Sequence, residues 1–61
     1  MKPKAKLLGA DSNVFNLLAI ASASLKKAKL ADQAKEMQNR VLGCGSFDEA
    51  LCIIMEYVEV Y

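Results

Sequence analysis

Ser46-Phe47-Asp48-Glu49-Ala50-Leu51-Cys52-Ile53-Ile54-Met55-Glu56-Tyr57-Val58-Glu59-Val60-Tyr61 holds the two signals that decide the fold. Ser46 to Glu49 is an S-x-x-E capping box set directly before an apolar run, so a helix starts here. Phe47, Leu51, Ile54 and Val58 recur at helical spacing, with Ala50, Ile53 and Tyr57 beside them, and mark the face turned to the core. From Glu56 onward the alternation changes to period two, which predicts a short strand over 58–61 with Val58 and Val60 inward and Glu59 outward. No turn residue separates helix from strand. The chain therefore keeps its direction, which favours antiparallel pairing with a strand from the other end.

Working back, Leu30, Ala34, Met37 and Val41 keep one helical face and predict a second helix over 31–42. Glu36 stands four residues before Arg40 and can pair with it. Asp32 in the first turn and Arg40 in the last suit the helix dipole, and Gly43 takes the C′ position. A first helix is expected from Asp11-Ser12-Asn13, three consecutive N-cap types, to about Lys27. Its core stripe is Val14, Leu17, Leu18, Ala21, Leu25 and Ala28. The small residues Ala19, Ser22, Ala23 and Ser24 allow a neighbouring helix to approach closely. Before it, residues 4–8 read as a strand with Ala5 and Leu7 inward. Lys2, Lys4 and Lys6 share the other face, and Pro3 confines the strand to a sheet edge or start. The expected fold class is mainly α (α+β): three short helices with a small two-stranded pairing of the N- and C-terminal segments, in one domain over 1–61.

Size and composition limit the rest. The 61 residues are 54% hydrophobic with a mean hydropathy of +0.18, and a chain this short buries only about 60% of its unfolded surface. With two cysteines and no histidine, a disulfide framework and the commonest zinc ligand are missing. Self-association is the simplest way to cover the surplus, so a homo-oligomer is expected, most simply a two-fold dimer. Cys52, inside Leu51-Cys52-Ile53-Ile54, reads as a small buried hydrophobe. Cys44, between two glycines, reads as an exposed, idle thiol in a reducing cytoplasm. The uncharged run Ser12 to Leu25 is shorter than the about 20 apolar residues a bilayer requires. No signal-peptide pattern is present, and a cytoplasmic location is expected.

Charge is unevenly placed although the net value is only +1. Residues 1–29 hold six lysines against Asp11, giving +5. Residues 30–61 hold Lys35 and Arg40 against six acids, giving −4. The basic half suits an anionic ligand, and the asymmetry also suits docking between subunits. The candidate ligand-binding residues are Lys4, Lys6, Asp11, Ser12, Asn13 and Phe15 around the first helix start, with Ser46, Phe47 and Asp48 at the last. Backbone amides at these starts are potential anion donors, although Asp11 puts a negative charge in the same place. The plainer reading of the lysines is a solvated face that protects a strand edge.

These segments carry a resemblance. Lys4-Ala5-Lys6-Leu7, Gly9-Ala10-Asp11-Ser12-Asn13-Val14-Phe15, Gly45-Ser46-Phe47-Asp48-Glu49-Ala50-Leu51 and Tyr57-Val58-Glu59-Val60 resemble K-x-K-L, G-x-D-G-N-x-F, G-D-[YF]-D-x-L-L and Y-V-E-V. That series belongs to a group of very short, uncharacterised proteins carried by phages and other mobile elements of bacteria. The likeness spans nearly the whole chain, and none of its short motifs is catalytic. Ser12 stands where the group has glycine, Ser46 where it has aspartate, and Lys29 where it tends to have a helix-ending glycine. The resemblance implies a mobile-element accessory protein.

The expected function is binding without catalysis, with no cofactor and no metal. Asp11, Asp48 and Glu49 sit in helix starts, where capping and the dipole explain them. Helix-turn-helix readout fails because the last helix carries Asp48, Glu49 and Glu56 where a recognition helix needs basic or amide side chains. Counter-defence or regulation by binding comes first, as an oligomeric sponge for a phosphate-bearing nucleotide signal. The alternatives are direct inhibition of a host protein such as a nuclease, and non-specific nucleic-acid binding through the lysines.

Overall fold

Periodicity and caps place the helices where the chain folds them. The computed structural model describes residues 2–61, in the order β1 (Lys4–Ala5), α1 (Val14–Lys27), α2 (Ala31–Leu42), α3 (Phe47–Tyr57) and β2 (Glu59–Val60). Three helices with one small two-stranded pairing make a mainly α fold.

Each helix start follows from its cap. The Asn13 side chain accepts a hydrogen bond from the Phe15 amide at 2.9 Å, and the Ser46 hydroxyl accepts one from the Glu49 amide at 3.1 Å. Glu49 closes its capping box on the Gly45 amide, one residue before the N-cap. α2 begins without a side-chain cap, so packing of Ala34, Met37 and Val41 fixes it instead. The end of α1 is a Schellman turn: the Leu30 amide donates to Leu25 O at 2.8 Å and the Lys29 amide to Lys26 O at 3.0 Å. Lys29 holds the left-handed C′ position at φ 64°, where glycine is the residue of low cost. Gly43 caps α2 at φ −94°. It does not use the left-handed conformation expected of a C′ glycine.

The core gathers Leu17, Leu18, Ala21 and Leu25 from α1, Ala34, Met37 and Val41 from α2, and Ala50, Ile54 and Tyr57 from α3. Ala5, Leu7 and Val58 complete it from the strand segments. Leu25, Met37, Ile54 and Val58 are the largest side chains fully removed from solvent. Ser22, also buried, accepts a hydrogen bond from Gln38 Nε2 at 2.8 Å and ties α1 to α2. Some expected core positions move outward. Phe47 is 43% exposed, because α3 starts at the molecular surface and its inward face begins one turn later at Ala50. Cys52 is exposed, since it lies on α3 opposite the side that presents Ile54. Ala28 is exposed as the C-cap of α1.

The strands pair in parallel, with Lys4 opposite Glu59 and Ala5 opposite Val60. This corrects the antiparallel expectation. Three helices form the crossover that parallel strands require, and their path brings the chain back to run beside β1 in the same direction. Both strands are shorter than their alternation suggests, but pairing continues past them. Glu59 N donates to Pro3 O, Tyr61 N to Ala5 O, and Leu7 N and Leu8 N both donate to Tyr61 O.

The intrahelical Glu36–Arg40 pair is replaced by contacts between helices. Arg40 forks onto Glu56 with hydrogen bonds of 2.8 and 3.1 Å. Its Nη1 also donates to the Tyr57 hydroxyl at 3.1 Å, and that hydroxyl donates to Glu36. A bidentate fork aligned to a carboxylate on α3 is stronger than a helical pair with poorer geometry.

Candidate functional site

Part of the anion-donor set suggested by the sequence is taken up by the chain itself. Asp11 Oδ1 accepts from the Asn13 amide at 3.1 Å, and Asn13 Oδ1 takes the Phe15 amide. At the α3 start, Ser46 takes the Glu49 amide and Glu49 takes the Gly45 amide. Each helix start thus ties up one first-turn amide with its own cap side chain, Phe15 N at α1 and Glu49 N at α3.

The lysines have a different setting. Period-two geometry in β1 turns Lys4 and Lys6 away from buried Ala5 and Leu7. Parallel pairing carries Tyr61 to the same edge, and the last turns of α1 supply Ser24 and Lys27. Together with Pro3 and Ala28 they line an open cavity of about 460 Å³, within the size range of small-ligand sites. Lys4 is in register with Glu59, but the only ion pair among the described residues is Arg40–Glu56. Lys4, Lys6 and Lys27 thus take part in no ion pair among the described residues, while Glu59 stands beside Lys4 across the strand pair. Three cations can hold a phosphate, the Ser24 hydroxyl can donate to it, and the Tyr61 ring, 53% exposed, offers a stacking face. Lys2, expected on this face, instead donates to Met55 O at 2.8 Å at the end of α3.

The remaining candidates separate into two apolar places. Phe15, Ser46 and Phe47 come together around a groove of about 290 Å³, floored by Val41 and Ala50 and rimmed by Leu42. Cys44 lies in this groove, half-buried rather than exposed, with its thiol donating to Val41 O at 3.0 Å. Ser12 borders a second apolar cavity with Leu7, Leu8, Leu17, Leu51 and Met55. Asp11 and Asn13 serve the α1 start, and Asp48 is an exposed first-turn residue of α3. Ser24 and Tyr61 carry no sequence signal as site residues, and Lys27 is legible only as one of the six lysines of the basic half. The available signal was the Lys26-Lys27 pair in the last turn of α1.

A separate polar cluster joins α2 to α3. The hydrogen bonds from Arg40, aided by its charge, hold the Glu56 carboxyl below the ordinary carboxylate range. Those bonds to Glu56, with the one to the Tyr57 hydroxyl, raise the Arg40 guanidinium. Arg40 also lies 5.6 Å from the Tyr57 ring centroid, within cation–π range. This cluster fixes helix packing. Among the described residues, no group of three or more Cys, Asp or Glu is gathered as a metal site requires, and no helix is long and apolar enough to cross a membrane.

Comparison with protein-family models, curated proteins and solved structures gives no match.

Proposed function

We propose that this protein is a phage or mobile-element accessory protein that acts by binding a phosphate-bearing nucleotide, in counter-defence or regulation. The mobile-element assignment rests on the sequence resemblance. The ligand class rests on one observation: Lys4, Lys6 and Lys27 line one cavity without an ion-pair partner among the described residues, beside Ser24 and Tyr61. Phosphate neutralises the ammoniums, and an aromatic ring accepts a base by stacking. No step of this function requires a bond to be made or broken.

Thermal melting against mono-, di- and cyclic nucleotides, with single-stranded and duplex DNA alongside, tests it. A nucleotide raises the melting temperature by mass action, and Lys4→Gln/Lys6→Gln abolishes the rise. Non-specific nucleic-acid binding instead gives affinities that fall steeply and alike with salt for unrelated sequences. A second reading, direct inhibition of a host protein such as a nuclease, draws on the exposure of Phe15, Leu42 and Phe47. It gains if no nucleotide or nucleic acid binds.

A further inference from the structure

We infer that the nucleotide taken by the cationic cavity carries a terminal phosphate ester, as a nucleoside monophosphate does, and that cyclic and internal phosphodiesters are disfavoured there. This rests on the nucleotide reading of that cavity and names the kind of phosphate it selects.

Charge makes the first distinction. Lys4, Lys6 and Lys27 line the cavity, and among the described residues no carboxylate does. Two negative influences stand beside them. Glu59 is the strand partner of Lys4, and the last turn of α1, which ends at Lys27, presents the negative end of the helix dipole. Three ammoniums, less one carboxylate and at most half a charge from the dipole, leave a surplus of roughly one and a half to two positive units. A terminal phosphate ester carries about −1.5 to −2 at pH 7 and matches that surplus. A phosphodiester, whether cyclic or within a nucleic-acid strand, carries a single charge and leaves part of it unneutralised.

The donor set favours the same ligand. Pairing turns Pro3 O, Ala5 O and Leu7 N towards the β2 segment. The Lys4 and Lys6 amides therefore lie on the opposite edge of β1, where neither has a hydrogen-bond partner among the described residues. Together with the Ser24 hydroxyl and the ammoniums, donors come from both β1 and α1. A terminal phosphate has three peripheral oxygens to share between the two elements. A phosphodiester has one fewer, its place taken by the second ester link.

Tyr61 adds a requirement of reach. The register, carried one residue past β2, sets Tyr61 opposite Lys6, and the Leu7 amide holds its carbonyl there. Its exposed ring lines the cavity beside the cations. A base stacked on that ring leaves a phosphate on a single flexible linkage free to turn to the lysines. A cyclic phosphate is fused to the sugar and lacks that freedom.

Calorimetric titration of matched pairs tests the inference, each nucleoside 5′-monophosphate against the 3′,5′-cyclic monophosphate of the same base, at low salt. The monophosphate is expected to bind about tenfold tighter, the scale of one further unit charge held near the ammoniums. Lys27→Gln, with folding confirmed by far-UV circular dichroism, should weaken the monophosphate more than the cyclic form and so narrow the gap. A cyclic nucleotide that binds as tightly as its partner overturns the inference and leaves the nucleotide reading standing. A gap that survives Lys27→Gln at full size overturns it too, because charge does not then set the preference. If no member of any pair binds, the nucleotide reading itself fails and takes the inference with it.

Discussion

The two ends of α1 belong to one helix and have opposite chemistry. At its start, Asp11 and Asn13 satisfy the local amides, and Phe15 joins an uncharged apolar groove. At its end, Ser24 and Lys27 meet Lys4, Lys6 and Tyr61 around a cationic cavity. A helix start is the usual place to seek an anion site, because its amides and dipole both favour negative charge. Here Asp11 and Asn13 already put side-chain oxygens at that place. The helix end favours cations through its dipole, which opposes a bound anion, so the site there rests on the lysines, which form no ion pair among the described residues.

The sharpest contrast in stability is between buried and projecting apolar residues. Ile54→Ala, at a fully buried position, should cost about 2–5 kcal/mol, a large part of the roughly 3–9 kcal/mol expected for a domain this size. Phe47→Ala should cost about 1 kcal/mol, in keeping with a half-exposed side chain. Chemical denaturation of both variants checks the difference. Equal losses would mean that Phe47 belongs to the core after all.

The end of α1 carries a cost of its own. Lys29 in the left-handed conformation is disfavoured by about 1–2 kcal/mol relative to a residue without Cβ. Lys29→Gly is expected to stabilise the fold by about 1 kcal/mol, raising the melting temperature by about 4–8 °C. A melting temperature that falls would show that the Lys29 side chain makes a favourable contribution larger than the backbone penalty.

A smaller effect belongs to neither end of α1. The Glu56 carboxyl is held below its ordinary range by Arg40, so the folded chain binds its proton less readily than the unfolded chain. Its contribution is complete above the unfolded value of about pH 4.3, and it is lost as pH falls through the depressed folded value. Melting temperatures measured from pH 7 down to 3 should fall less steeply in Glu56→Gln than in wild type. Parallel curves would remove this pair from the acid response. Both groups are solvent-exposed, which keeps the effect slight.

Much of the fold was legible in local chemistry. The capping box at Ser46, the Asn13 cap and the spacing of Ala34, Met37 and Val41 each encode a helix within a few residues of sequence. Strand direction was not legible, because it depends on how three helices return the chain and not on any local signal. Phe47 misled for a related reason: its spacing fits the α3 core face, but a helix start at the surface leaves its first turn without a neighbour. Lys4 and Lys6 announced themselves by period two. Ser24 and Lys27 reach them through the packing of α1 on β1, and Tyr61 through the parallel pairing, so the full cavity could be assembled only in three dimensions.

Calorimetric titration of the nucleotide panel into wild type, Lys27→Gln and Ser12→Ala tests the central claim most directly, because it sets the two ends of α1 against each other. The account predicts that at least one nucleotide binds, that Lys27→Gln weakens it by about tenfold or more, equivalent to about 1.4 kcal/mol, and that Ser12→Ala leaves it unchanged. A nucleotide lost in Ser12→Ala but retained in Lys27→Gln would return the site to the helix start, and a panel in which nothing binds would contradict the claim outright.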